Sequence, residues 1–125
     1  MTGIVLVTHN GLGEIMRHQV ETIVGHPVRL TTVAIADQVD PELALVDVTA
    51  ALAMGADEQG VIVISDLPGA TPHNLASKAA AQHDAPLVSG LNLPMLLKVV
   101  NHAEQPPLEL AKLALTGGQQ GMAHR

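Results

Sequence analysis

Two segments of this sequence end a run of aliphatic residues in a side chain able to do chemistry. Ile4-Val5-Leu6-Val7 leads into Thr8-His9-Asn10-Gly11, and Val61-Ile62-Val63-Ile64 leads into Ser65-Asp66-Leu67-Pro68-Gly69-Ala70-Thr71-Pro72. Short continuous runs of this kind are the pattern of strands covered on both faces in a parallel sheet. In such a sheet the ligand crevice lies beyond the carboxyl ends of the strands, where the strand order reverses. With the order 2-1-3-4 the two runs are neighbours, and His9 and Asp66 flank the switch point within hydrogen-bond reach. A carboxylate that accepts the proton of one imidazole nitrogen fixes the tautomer and frees the other nitrogen as a nucleophile. A charge-assisted hydrogen bond of this type contributes about 1.5 to 3 kcal/mol, enough to hold the ring in one orientation. Around the pair, Asn10-Gly11-Leu12-Gly13 leads into one helix N-terminus and Thr71-Pro72-His73-Asn74 opens another. Free amides and the positive end of the helix dipole suit a phosphoryl group. The chemistry implied is phosphoryl transfer to His9, oriented by Asp66.

Plainer readings of the same residues exist. A histidine at a strand end is often only a hydrogen-bonded loop residue; the pairing with Asp66 at the switch point is what favours a functional reading of His9. Asp66 alone could cap the loop turn. Thr71 reads first as a helix cap and second as a phosphate ligand. His73 either lines the crevice or faces solvent. His9, Asp66 and His73 are proper zinc ligands by type, but no separate metal motif supports them, so no metal is expected. His18, His26, His83, His102 and His124 show no ligand spacing and are expected on the surface.

The elements that must position the pair follow from the pattern. Val28 to Ile35 reads as a weaker strand and Ala85 to Gly90 as a short one, with Pro86 at its beginning. Leu12, Ile15, Met16, Val20, Ile23 and Val24 fall at helical spacing, with Gly25 where a terminating glycine is expected. Asp40-Pro41 and Thr71-Pro72 each place a capping side chain before a proline, which predicts helix starts there and helices running to about Met54 and Gln82. Pro94 opens a further helix through Val100, and Pro106-Pro107 precedes one ending near Gly117-Gly118. Alternating strands and helices predict one α/β domain over residues 1–125, with an open, doubly wound, mostly parallel sheet, helices on both faces and right-handed crossovers. The tail from Gln119 to Arg125 is short enough to add an edge strand to this subunit or to a neighbour.

Composition narrows the function. The 125 residues are 47% apolar but include no Phe, Tyr, Trp or Cys. Recognition of bases or sugar rings by aromatic stacking is excluded, as are disulfides, cysteine nucleophiles and thiolate metal ligands. A net charge of −6 argues against nucleic acid as a partner. Met1-Thr2-Gly3 and four aliphatics carry no basic leader, and no apolar run approaches membrane-spanning length, so a cytoplasmic protein without membrane insertion is expected. Neither G-x-x-x-x-G-K-[ST] nor G-x-G-x-x-G follows a strand, so a nucleotide donor bound in either way is not supported and no cofactor is expected. A flavin site would want a hydroxyl-rich loop after the first strand, and a receiver domain adjacent acids there, where this chain has Thr8-His9-Asn10.

With those residues in place the sequence resembles the IIA component of the mannose-type (mannose-fructose-sorbose) phosphoenolpyruvate-dependent sugar phosphotransferase system (PTS). The resemblance is carried by Ile4 to Gly11 (IVLVTHNG), Gly60 to Ser77 (GVIVISDLPGATPHNLAS), Ser89 to Leu97 (SGLNLPMLL) and Leu113 to Met122 (LALTGGQQGM), in the family's order and spacing. It implies that His9 accepts a phosphoryl group from phospho-HPr and passes it to a IIB component. It implies Asp66 as the partner of His9, with Asn10, Gly11, Leu67, Pro68, Gly69, Thr71, His73 and Asn74 around the phosphoryl group. It further implies a homodimer in which a C-terminal edge strand is exchanged, which would make Gly117-Gly118 a hinge.

The sequence departs from sugar-importing members in its second motif. They usually carry a hydroxyl or an aromatic just after the aspartate and an aromatic after the proline, where this chain has Leu67, Pro68 and His73. The departure leaves the His-Asp pair intact and bears on the partner surface. Two alternatives stay open at this point: a regulatory binding module controlled by phosphorylation, and a phosphotransfer domain related to the phosphotransferase subunit of dihydroxyacetone kinase.

Overall fold

The computed structural model describes all residues from Met1 to Arg125. The chain forms β1 (Gly3–His9), α1 (Leu12–Val24), β2 (Thr31–Ile35), α2 (Pro41–Gly55), β3 (Val61–Ser65), α3 (Thr71–Gln82), β4 (Leu87–Ser89), α4 (Leu93–Asn101) and α5 (Pro107–Gln120). The four strands make one parallel sheet in the order β2-β1-β3-β4, as expected. The register pairs Val5 with Val63 and Val7 with Ser65, which brings the carboxyl ends of β1 and β3 together.

Period-two alternation along β1 and β3 divides the core into two halves. Ile4, Leu6, Ile62 and Ile64 pack with α1, α4 and α5, whereas Val5, Val7, Val61 and Val63 pack with α2 and α3. The sheet is therefore covered on both faces without any aromatic side chain. Where backbones must approach closely, glycine does the work: a Cβ on Gly3 would stand 1.8 Å from the Gly55 carbonyl oxygen.

Several local expectations are corrected. β2 begins at Thr31 rather than Val28, because the Val28 amide donates to the Glu21 carboxylate at 2.9 Å instead of joining the ladder. β4 shortens to Leu87–Ser89, with the turn residue Gly90 at φ 91°. α1 is rotated from its expected setting. Val20 is buried, and Met16 and Val24 pack against the core, but Leu12, Ile15 and Ile23 face outward. Gly13 explains the rotation: it is buried against Thr8 and Thr32, so the backbone of α1 sits close to the sheet along that line.

The C-terminal expectations change most. α5 does not end near Gly117-Gly118 but runs through both to Gln120, and the chain contains no fifth strand. Both glycines are buried where α5 crosses α4. A Cβ on Gly117 would lie 2.7 Å from the Lys98 Cβ, and one on Gly118 would lie 2.9 Å from the Met95 Cε. They are contact points of two packed helices in this chain, not a hinge. Gly117→Ala is accordingly expected to lower stability by about 1 to 3 kcal/mol through overpacking, against the roughly 1 kcal/mol that alanine gains over glycine in helix propensity. Thermal or urea unfolding measures it, and a more stable variant would show that α4 and α5 separate readily.

Candidate functional site

β1 and β3 deliver His9 and Asp66 to the same place because they are adjacent and in register. The His9 Nδ1 lies 2.8 Å from Asp66 Oδ2, and the same oxygen accepts the His9 amide at 2.9 Å. The other carboxylate oxygen accepts the Leu67 amide at 3.0 Å. Burial by itself would raise the Asp66 carboxyl, but hydrogen bonds from the His9 amide and ring, together with the charge interaction with that ring, outweigh it and hold the carboxyl below its ordinary value. An ionised carboxylate only accepts, so the proton of a neutral His9 ring must sit on Nδ1, leaving Nε2 with its lone pair. The two side chains differ in access: Asp66 is 7% exposed and His9 45% exposed. A sequestered orienting group beside a reachable ring is what nucleophilic chemistry at Nε2 needs.

The flanking loops are built to hold this geometry. Thr8, buried beneath His9, accepts the Gly13 amide at 3.0 Å and donates to the His9 carbonyl at 2.9 Å. It ties the end of β1 to the first turn of α1, across Gly11 at φ 85°. After Asp66 the chain turns through Leu67-Pro68-Gly69-Ala70, closed by the Ala70 amide on the Leu67 carbonyl at 3.3 Å. Proline second and a glycine at φ 82° third are the signature of a type II turn. That turn delivers the N-terminus of α3, where Asn74 reaches back to the Gly69 carbonyl at 3.5 Å.

Asn10, Gly11, Leu67, Pro68, Gly69, Thr71, His73 and Asn74 all lie on these two loops or on the first turn of α3. Thr71 is not the cap of α3. Ala70 holds the cap position without a side-chain bond, Thr71 is the first helical residue and Pro72 the second. The capping function expected of Thr71 is therefore absent, which leaves its hydroxyl exposed at the helix start. His73 is half-buried and bonded, not solvated: its Nδ1 lies 2.9 Å from Ser65 Oγ, which in turn donates to Ser89 Oγ at 2.8 Å. The roles of Thr8, Ser65 and Ser89 are additions to the sequence reading. Hydroxyls in apolar strands are a signal that could have found them, since a buried hydroxyl requires a partner. His18, His26, His83 and His124 are exposed, and His102 bonds the Lys98 carbonyl through Nδ1. Two clefts lie elsewhere: one at the amino ends of β1 and β2, lined by Gly3, Thr31, Gly55 and Asp57, and one along the outer face of α2. His9 itself, 45% exposed, is within reach of a macromolecular donor.

Comparison with known proteins bears on this arrangement. The family model EIIA-man, the PTS system fructose IIA component, matches residues 3–113. The chain belongs to this family. Among solved structures this IIA chain is similar to the PTS component EIIA from Streptococcus agalactiae, at 25% identity and a TM-score of 0.84, with 99% of this chain and 97% of that one covered. It shares its fold with the mannose/sorbose-specific IIA subunit from Enterococcus faecalis, at 23% identity and a TM-score of 0.89, over 99% of this chain and 94% of that one. A sigma-54 interaction domain protein from Enterococcus faecalis has the same fold at 7% identity and a TM-score of 0.77, over 95% of this chain and 91% of that one. No match was found among curated proteins. IIA components are phosphotransferases in the general sense, and membership supports a phosphocarrier role in the PTS. No helix is long and apolar enough to cross a membrane.

Proposed function

We propose that the chain is a cytoplasmic phosphohistidine carrier, acting as one domain over residues 1–125, that takes a phosphoryl group from phospho-HPr on His9 Nε2 and passes it to a IIB component. The observation that carries the reading is the 2.8 Å contact between His9 Nδ1 and the sequestered Asp66 carboxylate. In the transfer, the Nε2 lone pair forms a bond to phosphorus as the bond from phosphorus to the donor imidazole breaks. The His9 ring then carries positive charge, which Asp66 offsets through Nδ1–H. The amides of Leu12 and Glu14 at the start of α1, and of Thr71 and His73 at the start of α3, have no partner inside their helices and are available to phosphoryl oxygens.

Family membership supports HPr and IIB as the donor and acceptor classes, and the exposure of the His9 ring supports exchange between proteins. Leu12, Ile15 and Leu67, outward-facing on the two flanking segments, supply apolar contact area beside His9. A homodimer belongs to the same reading. The experiment is incubation with phosphoenolpyruvate, enzyme I and HPr, followed by intact-mass measurement. An acid-labile phosphoryl adduct that disappears when a IIB component is added is the expected result, and its absence would exclude the carrier.

The regulatory reading draws on one of the same residues. Leu67, 55% exposed directly beside Asp66, places an apolar contact where the charge state of His9 would be sensed. A pull-down with His9→Ala and with the phosphorylated protein distinguishes it: a target bound in only one state, with no transfer to IIB, would favour regulation over carriage.

A further inference from the structure

Resting on the carrier reading, we propose that His73 is a positioning residue of the phosphoryl site, acting through Ser65 to hold Asp66 against His9. Ser65 is completely buried at the last position of β3, one residue before Asp66. Every polar group it can bring to bear there is engaged. Its hydroxyl donates to Ser89 at the end of β4 and lies 2.9 Å from His73 Nδ1 at the start of α3. Its carbonyl accepts the amides of Gly90 and Leu91, both at 3.1 Å. Ser65 is thus the knot that joins the end of β3, the loop after β4 and the first turn of α3, and His73 is the strand of that knot coming from the helix.

Strand alternation shows how the knot bears on the site. Val61, Val63 and Ser65 project to the face of the sheet covered by α2 and α3, as do Val5 and Val7 in β1. Ser65 pairs with Val7, so His9, two residues further along, leaves the sheet on the same face and one level above Ser65. His73 therefore closes the same corner from the α3 side. Proton direction follows from the donor inventory. With Ser65 donating to Ser89, its oxygen is the acceptor toward His73, so His73 carries its proton on Nδ1 and turns Nε2 away from Ser65. A non-polar ring at this position would remove the tie between α3 and β3 while leaving the bond between Ser65 and Ser89. The turn Leu67-Pro68-Gly69-Ala70, anchored at both ends by β3 and α3, would then be free to move Asp66 relative to His9.

The test compares His73→Phe, which keeps a ring but no ring nitrogen, with His73→Asn, whose terminal amide occupies the place of Nδ1, and with Ser65→Ala. Two readouts are made on folded protein. The first is the 15N signature of the His9 ring in unmodified protein, which reports whether the proton is held on Nδ1. The second is the rate and the KM for phosphoryl uptake from phospho-HPr. Expected for His73→Phe is a maximal rate about threefold to tenfold lower, the consequence of one lost neutral hydrogen bond, with KM within about twofold and a mixed His9 tautomer. His73→Asn is expected to restore both readouts, and Ser65→Ala to reproduce His73→Phe without further loss in the double variant. A His9 signature unchanged in His73→Phe would overturn the proposal, as would an effect on KM alone or equal losses in the Phe and Asn variants. The His9 signature needs no phosphoryl donor. If the wild type takes up no phosphate, the carrier reading fails while the positioning role of His73 is still decided.

Discussion

His9→Ala removes phosphoryl uptake altogether, a loss on the order of 10⁵ to 10⁶ in rate, comparable to deletion of an enzymatic nucleophile. The size of the effect follows from the absence of a substitute. The chain has no cysteine, and His73, the other imidazole of this corner, bonds a neutral Ser65 hydroxyl instead of a carboxylate, so no charge offsets an imidazolium formed there. Alanine also leaves Asp66 with only the amides of His9 and Leu67, in a pocket that keeps it nearly inaccessible. The fold is expected to survive, because His9 lies at the end of β1 with 45% of its side chain in solvent and contributes nothing to either half of the core. Intact mass before and after acid treatment, run beside circular dichroism on the same samples, measures both parts. An acid-labile adduct in the variant would place the acceptor on another residue and end the assignment of His9.

Why the pair could be read from sequence while its surroundings could not is a matter of range. The aliphatic runs at Ile4–Val7 and Val61–Ile64 force two buried parallel strands, and once those are neighbours their carboxyl ends must coincide. Asp40-Pro41 is local in the same way: the Asp40 side chain accepts the Glu42 amide at 3.0 Å, so the cap is where the sequence put it. The facing of α1 was not legible. Six apolar residues at helical spacing define a stripe wider than one contact line, and the choice within it was made by a distant fit, Gly13 against Thr8 and Thr32. Thr71 illustrates a tertiary setting that overrides a local cap: the helix began one residue earlier, with Ala70 at the cap position without a side-chain bond, and left the threonine inside. Gly117-Gly118 looked like a helix end because glycine is a poor helix former. Its use appears only when α4 is laid across α5, a contact that no pattern within the segment encodes. The bond between Ser65 and His73 belongs to the same class, since it joins a strand to a helix across a turn whose shape depends on Pro68 and Gly69.

Asp66→Asn slows phosphoryl uptake by about 10² to 10⁴-fold with the fold retained, on the precedent of carboxylates that orient a catalytic imidazole. Asp66 accepts three hydrogens, two of them on Oδ2. Asparagine has one accepting oxygen. If that oxygen faces His9, the amide NH₂ meets the Leu67 N–H; if the group is flipped, NH₂ meets His9 Nδ1 and drives the ring proton to Nε2, where the lone pair is needed. In neither case is there a charge to offset the imidazolium formed during transfer. Single-turnover rates measure the effect, and an unchanged rate would separate the pairing from the chemistry. The same substitution has a pH signature in stability. Because the folded carboxyl of Asp66 lies below its ordinary value, its ionised form stabilises the fold fully above the ordinary carboxylate value, about 4, and that contribution is lost as the pH falls through the folded value. Wild type should therefore exceed Asp66→Asn by about 1 kcal/mol at neutral pH, the sum being modest because His9 is well solvated. The difference should stay level down to about pH 5 and shrink below pH 4, as read from urea midpoints across that range. A difference that grew on acidification would mean that Asp66 is raised by burial instead of lowered by His9, and the orienting carboxylate would then be protonated sooner than the site requires.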